Sequence, residues 1–349
     1  MRTTALRLAE RITTPLVPAD YLDVIDPLRS GGPLRGRIVA VKPETRDAVT
    51  VVIKPGRGWR GYAPGQYLRV GVDVDGVRQW RAYSLTSRTG EPHLTITVKA
   101  VPGGTVSNHL VRRAAIGTVL HLDQAAGEFT LPAPTPERIL FLTAGSGITP
   151  VIGMLRNLPE GSPSDIVVVH SAPASADVIF GGELRMLAAR RRIRLVENHT
   201  RTGSRLDVVN LGRLVGDYAE RQTWACGPAG LLDDVESHWA AEGLIERLRI
   251  ERFRSAVVAA GEGGAVTFSA TGTTAVSDGA TSLLETGEAA GVLMPSGCRM
   301  GICFGCVSPL RHGAVRDLRT GDITTASEGD GVLIQTCVSA AVGDCDLEL

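Results

Sequence analysis

Aromatic residues are scarce in this 349-residue chain, 4% in all, so an aromatic beside a glycine-rich loop carries more weight than usual, although cores use such residues too. Long apolar runs are missing as well: nothing approaches the roughly 18 consecutive apolar residues of a membrane span. Where a signal peptide needs an apolar run, the N-terminus carries Arg2, Arg7, Glu10 and Arg11. The expected setting is the cytoplasm, with at most peripheral contact to a membrane enzyme. Neither sign of charge is in excess, since 37 Lys and Arg offset 37 Asp and Glu; this removes the global basic field on which nucleic-acid binding relies. Six cysteines are too few for a disulfide scaffold of this size, and Cys298, Cys303, Cys306 and Cys337 fall in one C-terminal region with uneven spacing, a pattern that suggests metal ligation.

At this length two or three domains are expected. Residues 1–34 read as a helical arm, with helices at 4–12 and 21–28 broken by Pro15, Pro18, Pro27 and Ser30-Gly31-Gly32-Pro33. From 35 to 134, short β-branched runs at 36–41, 48–53, 67–72, 79–85, 94–100 and 119–122 alternate with turn residues, which predicts an antiparallel β-barrel. From 135 to 258 the pattern becomes strand-loop-helix. Strands at 138–143, 166–170, 193–197 and 222–226 alternate with helices at 149–158, 183–190, 208–215 and 229–241, the signature of a doubly wound parallel α/β domain. A glycine-rich connection at 260–264 leads into a third module, giving a last domain of 259–349.

Cys298-x4-Cys303-x2-Cys306 with Cys337 about thirty residues later has the plant-type spacing for a [2Fe–2S] centre. Three thiolates must converge from one loop, and Gly297, Gly301 and Gly305 let the backbone fold tightly enough to present them and to aim N–H groups at sulfur. A zinc knuckle or buried free thiols are the alternatives; zinc sites favour paired CxxC units, and only Cys303 and Cys306 form one. Cys345 reads as a buried thiol. The run Ser296 to Cys306, with Gln335-Thr336-Cys337, resembles the cluster loop of plant-type ferredoxins, and 265–349 has the length and β-grasp-like strand order of that family.

Four further motifs stand at strand ends. Arg81-Ala82-Tyr83-Ser84 places a guanidinium, a ring and a hydroxyl in a row; taken alone it also suits an ordinary strand. Gly103-Gly104-Thr105-Val106-Ser107 opens a helix whose N-terminus suits a diphosphate, or is a simple capped turn. Thr143-Ala144-Gly145-Ser146-Gly147-Ile148-Thr149-Pro150 joins a strand to a helix in dinucleotide-binding geometry, with Pro150 where G-x-G-x-x-G needs its third glycine. Cys226-Gly227-Pro228 closes a later strand. In this order the four resemble the RxYS, GxxS, nicotinamide-loop and CGP motifs of the ferredoxin-NADP reductase family, over about 35–349 together with the ferredoxin module.

The resemblance implies FAD bound by Arg81, Tyr83, Ser84, Val98, Lys99, Gly103, Gly104, Thr105, Val106 and Ser107. It implies a nicotinamide site of Gly145, Gly147, Thr149, Pro150, Cys226, Gly227 and Pro228, with Ser84, Thr149 and Cys226 shaping the reacting pocket. Cys298, Cys303, Cys306 and Cys337 would hold the cluster. Thr200, Arg201 and Arg205 resemble the residues that grip a 2′-phosphate, and Ala172-Pro173 stands where the NADH-using branch carries arginine, so NADPH is favoured over NADH. Hydride from NADPH would pass through FAD and leave the cluster as single electrons for a terminal oxygenase or desaturase. Asp26-Pro27-Leu28, Trp80 to Ser84 and Trp224 to Pro228 look most like actinobacterial reductases that feed a membrane di-iron acyl-CoA desaturase. A Rieske oxygenase, an alkane hydroxylase or a cytochrome P450 is the alternative acceptor. An electron-transfer subunit of an obligate complex, or a redox sensor, is the alternative of another class.

Overall fold

The computed structural model describes residues 26–29, 32–74, 76–253, 260–297, 299, 301 and 304–349. The helix expected at 4–12 lies outside the described residues. Of the one expected at 21–28, the described part is a turn, in which Leu28 N–H donates to Asp26 Oδ1 (3.1 Å) and Arg29 N–H to Asp26 O (3.2 Å). Pro27 suits this, having no N–H to give a helix.

Six strands follow: β1 (Arg35–Thr45), β2 (Ala48–Pro55), β3 (Tyr67–Val74), β4 (Val77–Ser84), β5 (Leu94–Lys99) and β6 (Val119–Leu122). They lie in the order β4-β3-β6-β1-β2-β5. The two ends of that path meet through the Leu85–Ile96 bridge and the Thr86 N–H to Thr95 O bond (2.8 Å), so the sheet closes into a barrel at that end. Ile38, Val51, Ile53, Leu68, Ile96 and Leu120 fill it. Helix α1 (Thr105–Arg112) adds Val106 and Leu110, which are four residues apart and therefore on one face.

The second sheet runs β11-β10-β7-β8-β9, from β7 (Arg138–Ala144), β8 (Asp165–Ala172), β9 (Arg194–His199), β10 (Gln222–Cys226) and β11 (Leu248–Glu251). The β7–β8 and β8–β9 pairs are parallel. Helices α2 (Ile148–Asn157), α3 (Gly181–Ala189) and α4 (Ala229–Ala241) lie in the connections. Strand β7 is buried from Ile139 to Thr143 without alternation, as a strand covered on both faces must be. The helix expected at 208–215 is only a 3₁₀ turn, Leu211–Arg213. Asp207 accepts both the backbone N–H (3.2 Å) and the side-chain amide (2.7 Å) of Asn210, which offers the chain a local alternative to helical bonds, and Gly212 and Gly216 lower helix propensity further. Arg221, 3% exposed, fastens one end of this sheet: its guanidinium donates to Asp217 and Asp165 side chains and to the Ile139 and Asp165 carbonyls.

The third module contains β12 (Gly264–Phe268), β13 (Thr273–Ser277), helix α5 (Leu283–Ala289), β14 (Val307–Asp317), β15 (Ile323–Ala326), β16 (Val332–Gln335) and β17 (Ser339–Leu347). The order is β13-β12-β17-β14-β15, with β16 on β14 and β12 parallel to β17, which is a β-grasp arrangement. Ser282 caps α5 by accepting Glu285 N–H (3.3 Å), and the helix buries Leu283 and Leu284 in a core with Val266, Phe268 and Leu347. Cys345 lies in that core, its thiol pushed up to about 11 by burial, and then by the charges of Asp346 and Asp344.

Chain contacts define two compact units. One holds the described barrel residues other than 79–81 and most of the parallel sheet; the other holds 260–349 with 79–81, 226–238 and 250–253. Inside the first, α2 presses its Gly153 against the backbone of Leu85, where a Cβ would overlap the Leu85 carbonyl oxygen. Arg156 donates to Thr86 O and pairs with Glu183 (2.6 Å). Asn157 donates to Ser87 O (3.0 Å) and accepts from Thr89 N–H (2.7 Å). Gly153→Ala should therefore prise helix from barrel and cost about 1–3 kcal/mol of stability. Thermal unfolding of the purified protein checks this; an unchanged midpoint would show that the junction yields freely.

Candidate functional site

The C-terminal end of β4 carries three of the expected groups. Alternation along the strand puts Arg81 and Tyr83 on one face and Ser84 on the other. Arg81 donates to Trp80 O (2.8 Å) and reaches Gln79 Oε1 (3.4 Å), and Tyr83 packs on the barrel core. Ser84 is buried, yet among the described residues its hydroxyl has no hydrogen-bond partner. An orphaned buried hydroxyl costs free energy unless a bound group supplies the missing partner, and this is the observation that a flavin fits here.

The neighbouring residues divide by what their side chains do. Val98 and Val106 point into the core, so only their backbone is open to a ligand. Lys99 is tied to Asp47 (2.6 Å); burial alone would raise the Asp47 carboxyl, and the hydrogen bonds of Lys99 and Thr45 outweigh it and hold it low. Gly103 has φ +70 with open space at its Cβ position. Gly104 is the N-cap of α1, and Thr105 is exposed. Ser107 donates to Gly104 O (3.3 Å) and accepts Val101 N–H (3.3 Å), so its hydroxyl serves the turn itself.

The loop after β7 rests on Thr143, whose hydroxyl meets His170 Nδ1 at 2.8 Å. Burial lowers His170 to about 4, so this buried ring is neutral at physiological pH. Gly145 (φ +54) has nothing near its Cβ position; it opens a 3₁₀ turn to Gly147, and Thr149 donates to Ser146 O (2.9 Å) at the start of α2. Pro150 sits in the first turn of α2, where a missing N–H does no harm. Ser84 adjoins Leu85, and Thr149 stands one turn, about 6 Å, before Gly153. The Gly153–Leu85 contact therefore sets the residue after Ser84 against the helix whose first turn carries Thr149.

Beyond β9 the backbone N–H groups of Thr200 and Arg201 donate to Ala172 O (3.0 Å) and Pro173 O (2.9 Å). Arg201 is bound to the buried Asp177 (3.2 Å), which Arg46 of the barrel also approaches (3.4 Å). Arg205 is exposed. Asp177 was not legible as a partner, because nothing in the sequence around it marks contact with a residue 24 positions on. Glu197, at the end of β9, is taken by Arg185 (2.7 Å) and His199 (2.9 Å).

Cys226 is fully buried at the end of β10, before Gly227 and the exposed Pro228. Burial, and then the nearby Glu251, push its thiol well above the ordinary range. This sulfur is a neutral thiol rather than a nucleophilic thiolate. Glu251, also unforeseen, is half-buried as a residue, but its Oε2 is shut off from solvent with no partner among the described residues. Desolvation raises it to about 8.

Of the four cysteines singled out, Cys298 and Cys303 lie outside the described residues. Cys306 and Cys337 are both buried and in no disulfide. They come from separate segments joined by Thr336, whose N–H and hydroxyl both donate to Cys306 O (3.2 and 3.0 Å). Arg299, Gly301 and Phe304 all have positive φ, the tight winding a loop needs to aim several thiols inward. Two buried thiols outside any disulfide, on segments that Thr336 joins, suit a thiolate-held iron–sulfur group.

A closed barrel ending in an orphaned hydroxyl, a parallel sheet with its open glycine turn, and a β-grasp module with two buried thiols on joined segments together define a flavin and iron–sulfur oxidoreductase. The comparisons agree. The sequence matches the oxidoreductase FAD-binding domain over residues 49–131 and the 2Fe-2S iron-sulfur cluster binding domain over 266–342. It is 50% identical over 351 residues to the NADPH oxidoreductase of Mycobacterium tuberculosis, covering 98% of this chain and 91% of that protein. Identity is 30% over 335 residues to the ferredoxin reductase component of 3-ketosteroid-9-alpha-monooxygenase from Mycolicibacterium smegmatis, covering 88% and 94%. The solved phthalate dioxygenase reductase shares the fold, with TM-score 0.62 at 23% identity over 91% of this chain and 98% of that one. The chain belongs to the family of NAD(P)H-dependent, FAD-binding oxidoreductases with a C-terminal 2Fe–2S ferredoxin domain.

Glu251 also gives the protein a pH signature. Its folded value of about 8 lies above its ordinary 4.5, so between those values the folded chain keeps a proton that the unfolded chain releases, and stability falls as pH rises. Unfolding measured in denaturant from pH 5 to 8 should show this decline in the parent and a flatter profile in Glu251→Gln.

Proposed function

We propose that this reductase takes electrons from NADPH in preference to NADH and delivers them one at a time to an oxygenase, specifically a membrane di-iron acyl desaturase. The bound FAD and cluster supply the conversion of a two-electron donor into single electrons, and the chain's own residues bind, orient and shield these groups. Arg81 would face the flavin diphosphate, Tyr83 lie along the flavin and Ser84 offer its orphaned hydroxyl to the ring. The Gly103–Ser107 turn and the backbone at Val98 and Lys99 would complete that site. Gly145, Gly147, Thr149 and Pro150 would receive the dinucleotide, with Gly227 and Pro228 beside it, and Cys226 would present a neutral thiol to the nicotinamide. Cys298, Cys303, Cys306 and Cys337 would ligate the cluster.

The observation that carries the NADPH preference is the charge at the end of β9. A ribose diol prefers an acidic partner, and the carboxylate placed for that, Glu197, is already engaged by Arg185 and His199. Thr200, Arg201 and Arg205 follow it and suit a 2′-phosphate, since Arg201 meets Asp177 through Nη2 alone and its side chain stays more than half exposed. The name NADPH oxidoreductase borne by the half-identical relative agrees with this. Arg201→Ala should raise KM for NADPH about tenfold to a hundredfold, the range of a charge-assisted hydrogen bond, and leave KM for NADH nearly unchanged. Steady-state kinetics with both nucleotides decides; equal effects on the two would remove Arg201 from the phosphate site.

An oxygenase as acceptor is supported by relatives named as monooxygenase reductase components, at 28–30% identity. The desaturase rests on the resemblance of the Asp26-Pro27-Leu28, Trp80–Ser84 and Trp224–Pro228 motifs. Residues 260–349 contain eleven Asp and Glu against four Arg and no Lys, so a complementary acceptor face is basic. Transfer to the acceptor should slow several-fold between low salt and about 0.5 M salt, while NADPH-driven flavin bleaching without acceptor should change less. The deciding experiment is anaerobic reduction of the holoprotein by NADPH, followed by the visible spectrum and the cluster EPR signal, and then addition of desaturase-containing membranes or a soluble oxygenase. Reoxidation coupled to desaturation supports the full reading; reoxidation only by the oxygenase replaces the acceptor, and absence of reduction by NADPH overturns the donor.

A further inference from the structure

The turn between β14 and β15 carries a charge pair with no part in the sites above. Arg319 Nε and Nη2 donate to the two carboxylate oxygens of Asp317 (3.1 and 2.6 Å), and Asp317 also accepts Arg319 N–H (2.8 Å). The opposite edge of the guanidinium reaches the loop that contains Cys298 and Cys303: Nη1 donates to Gly301 O at 3.0 Å. Gln335, two residues before Cys337, donates to the same carbonyl (3.1 Å) and accepts from Arg319 Nη2 (3.3 Å). Gly301 has φ +72, and a Cβ there would overlap the guanidinium, so the glycine is what lets Arg319 lie flat on the loop. Arg319 is charged at every accessible pH, and it is within electrostatic reach of the Cys337 and Cys306 sulfurs.

The pair is thus a fixed dipole whose positive end rests on the cluster loop through Nη1 and whose negative end holds the other edge of the guanidinium. Reduction adds an electron to the cluster, so a cation at the loop stabilises the reduced form and an anion opposes it. Charges and hydrogen bonds just beyond the ligands are among the main levers a protein has on such a potential.

We propose that the Arg319–Asp317 pair is a positioning element that sets the reduction potential of the [2Fe–2S] cluster, with Arg319 raising it and Asp317 restraining that effect. This rests on the four-cysteine ligand assignment, which Cys306→Ala tests separately: retention of the 2Fe–2S visible spectrum in that variant would overturn the assignment. For the pair itself, the holoprotein and the variants Arg319→Gln, Arg319→Lys and Asp317→Asn are titrated by EPR-monitored potentiometry, with cluster content read from the visible spectrum. Arg319→Gln should shift the midpoint to more negative values, and Asp317→Asn to more positive ones. Each shift should correspond to about a tenfold change in the one-electron equilibrium, ~59 mV. Arg319→Lys keeps the charge and should restore most of the parent value. A purely structural clamp would not move the two variants in opposite directions. Unchanged potentials at full cluster content, or shifts of the same sign, would overturn the proposal. Should Arg319→Gln fail to hold the cluster, Asp317→Asn decides alone, and an unmoved or lowered midpoint there is equally fatal.

Discussion

The approach of Gly153 to the Leu85 carbonyl is the contact on which the first unit depends. A helix can come this near a strand end only where no side chain intervenes. Once it does, Arg156 and Asn157 find the backbone of Thr86, Ser87 and Thr89 within hydrogen-bond reach. These bonds satisfy polar groups just past the barrel strand, where the sheet can no longer do so. They also make one body of the barrel and the start of the dinucleotide fold. Ser84 and Thr149, 65 residues apart in the chain, lie on the two segments that this contact joins, although neither side chain contributes to it.

Three buried titratable groups of the second sheet are kept neutral, while the buried Arg221 keeps its charge against Asp165 and Asp217. Cys226 stays a thiol, Glu251 holds a proton through neutral pH and His170 stays uncharged, in each case chiefly because burial disfavours the charged form. Full charges around that sheet are paired: Asp177 with Arg201 and Arg46, Glu197 with Arg185 and His199. An uncharged interior with paired charge at the rim suits chemistry in which the cofactors carry the electrons and the protein shapes the surroundings. The β-grasp module follows a related logic: Thr336 ties two distant thiol segments together, and the Arg319–Asp317 dipole is held against the loop by backbone as well as side-chain bonds.

Much of the fold and of the site is legible in residue spacing alone. Close cysteine spacing implies one tight loop, because thiolates sharing a cluster must converge, and that constraint acts over nine residues of chain, Cys298 to Cys306. The strand rhythm of the barrel and the apolar run of β7 are equally local, since alternation or its absence reports how many faces a strand buries. The helix expected at 208–215 shows the limit of the same reasoning: apolar spacing suggests a helix, but Asp207, Asn210 and two glycines favour a turn by bonds that periodicity does not register.

By itself, then, the sequence determined the three-part architecture and the cofactor classes, because both are written in short-range patterns of spacing and residue type, and by the same patterns it marked the candidate site residues. Only the tertiary structure decided which of those residues keep a free group. It spent the Ser107 hydroxyl on its own turn, turned Val98 and Val106 inward, bound Arg201 to Asp177, and left the Ser84 hydroxyl without a partner among the described residues. It also brought in Asp177, Glu251 and Arg319, which no motif marks. The physical reason is that a side chain's partners and its access to water depend on segments far away in the chain, and these meet only when the core has packed.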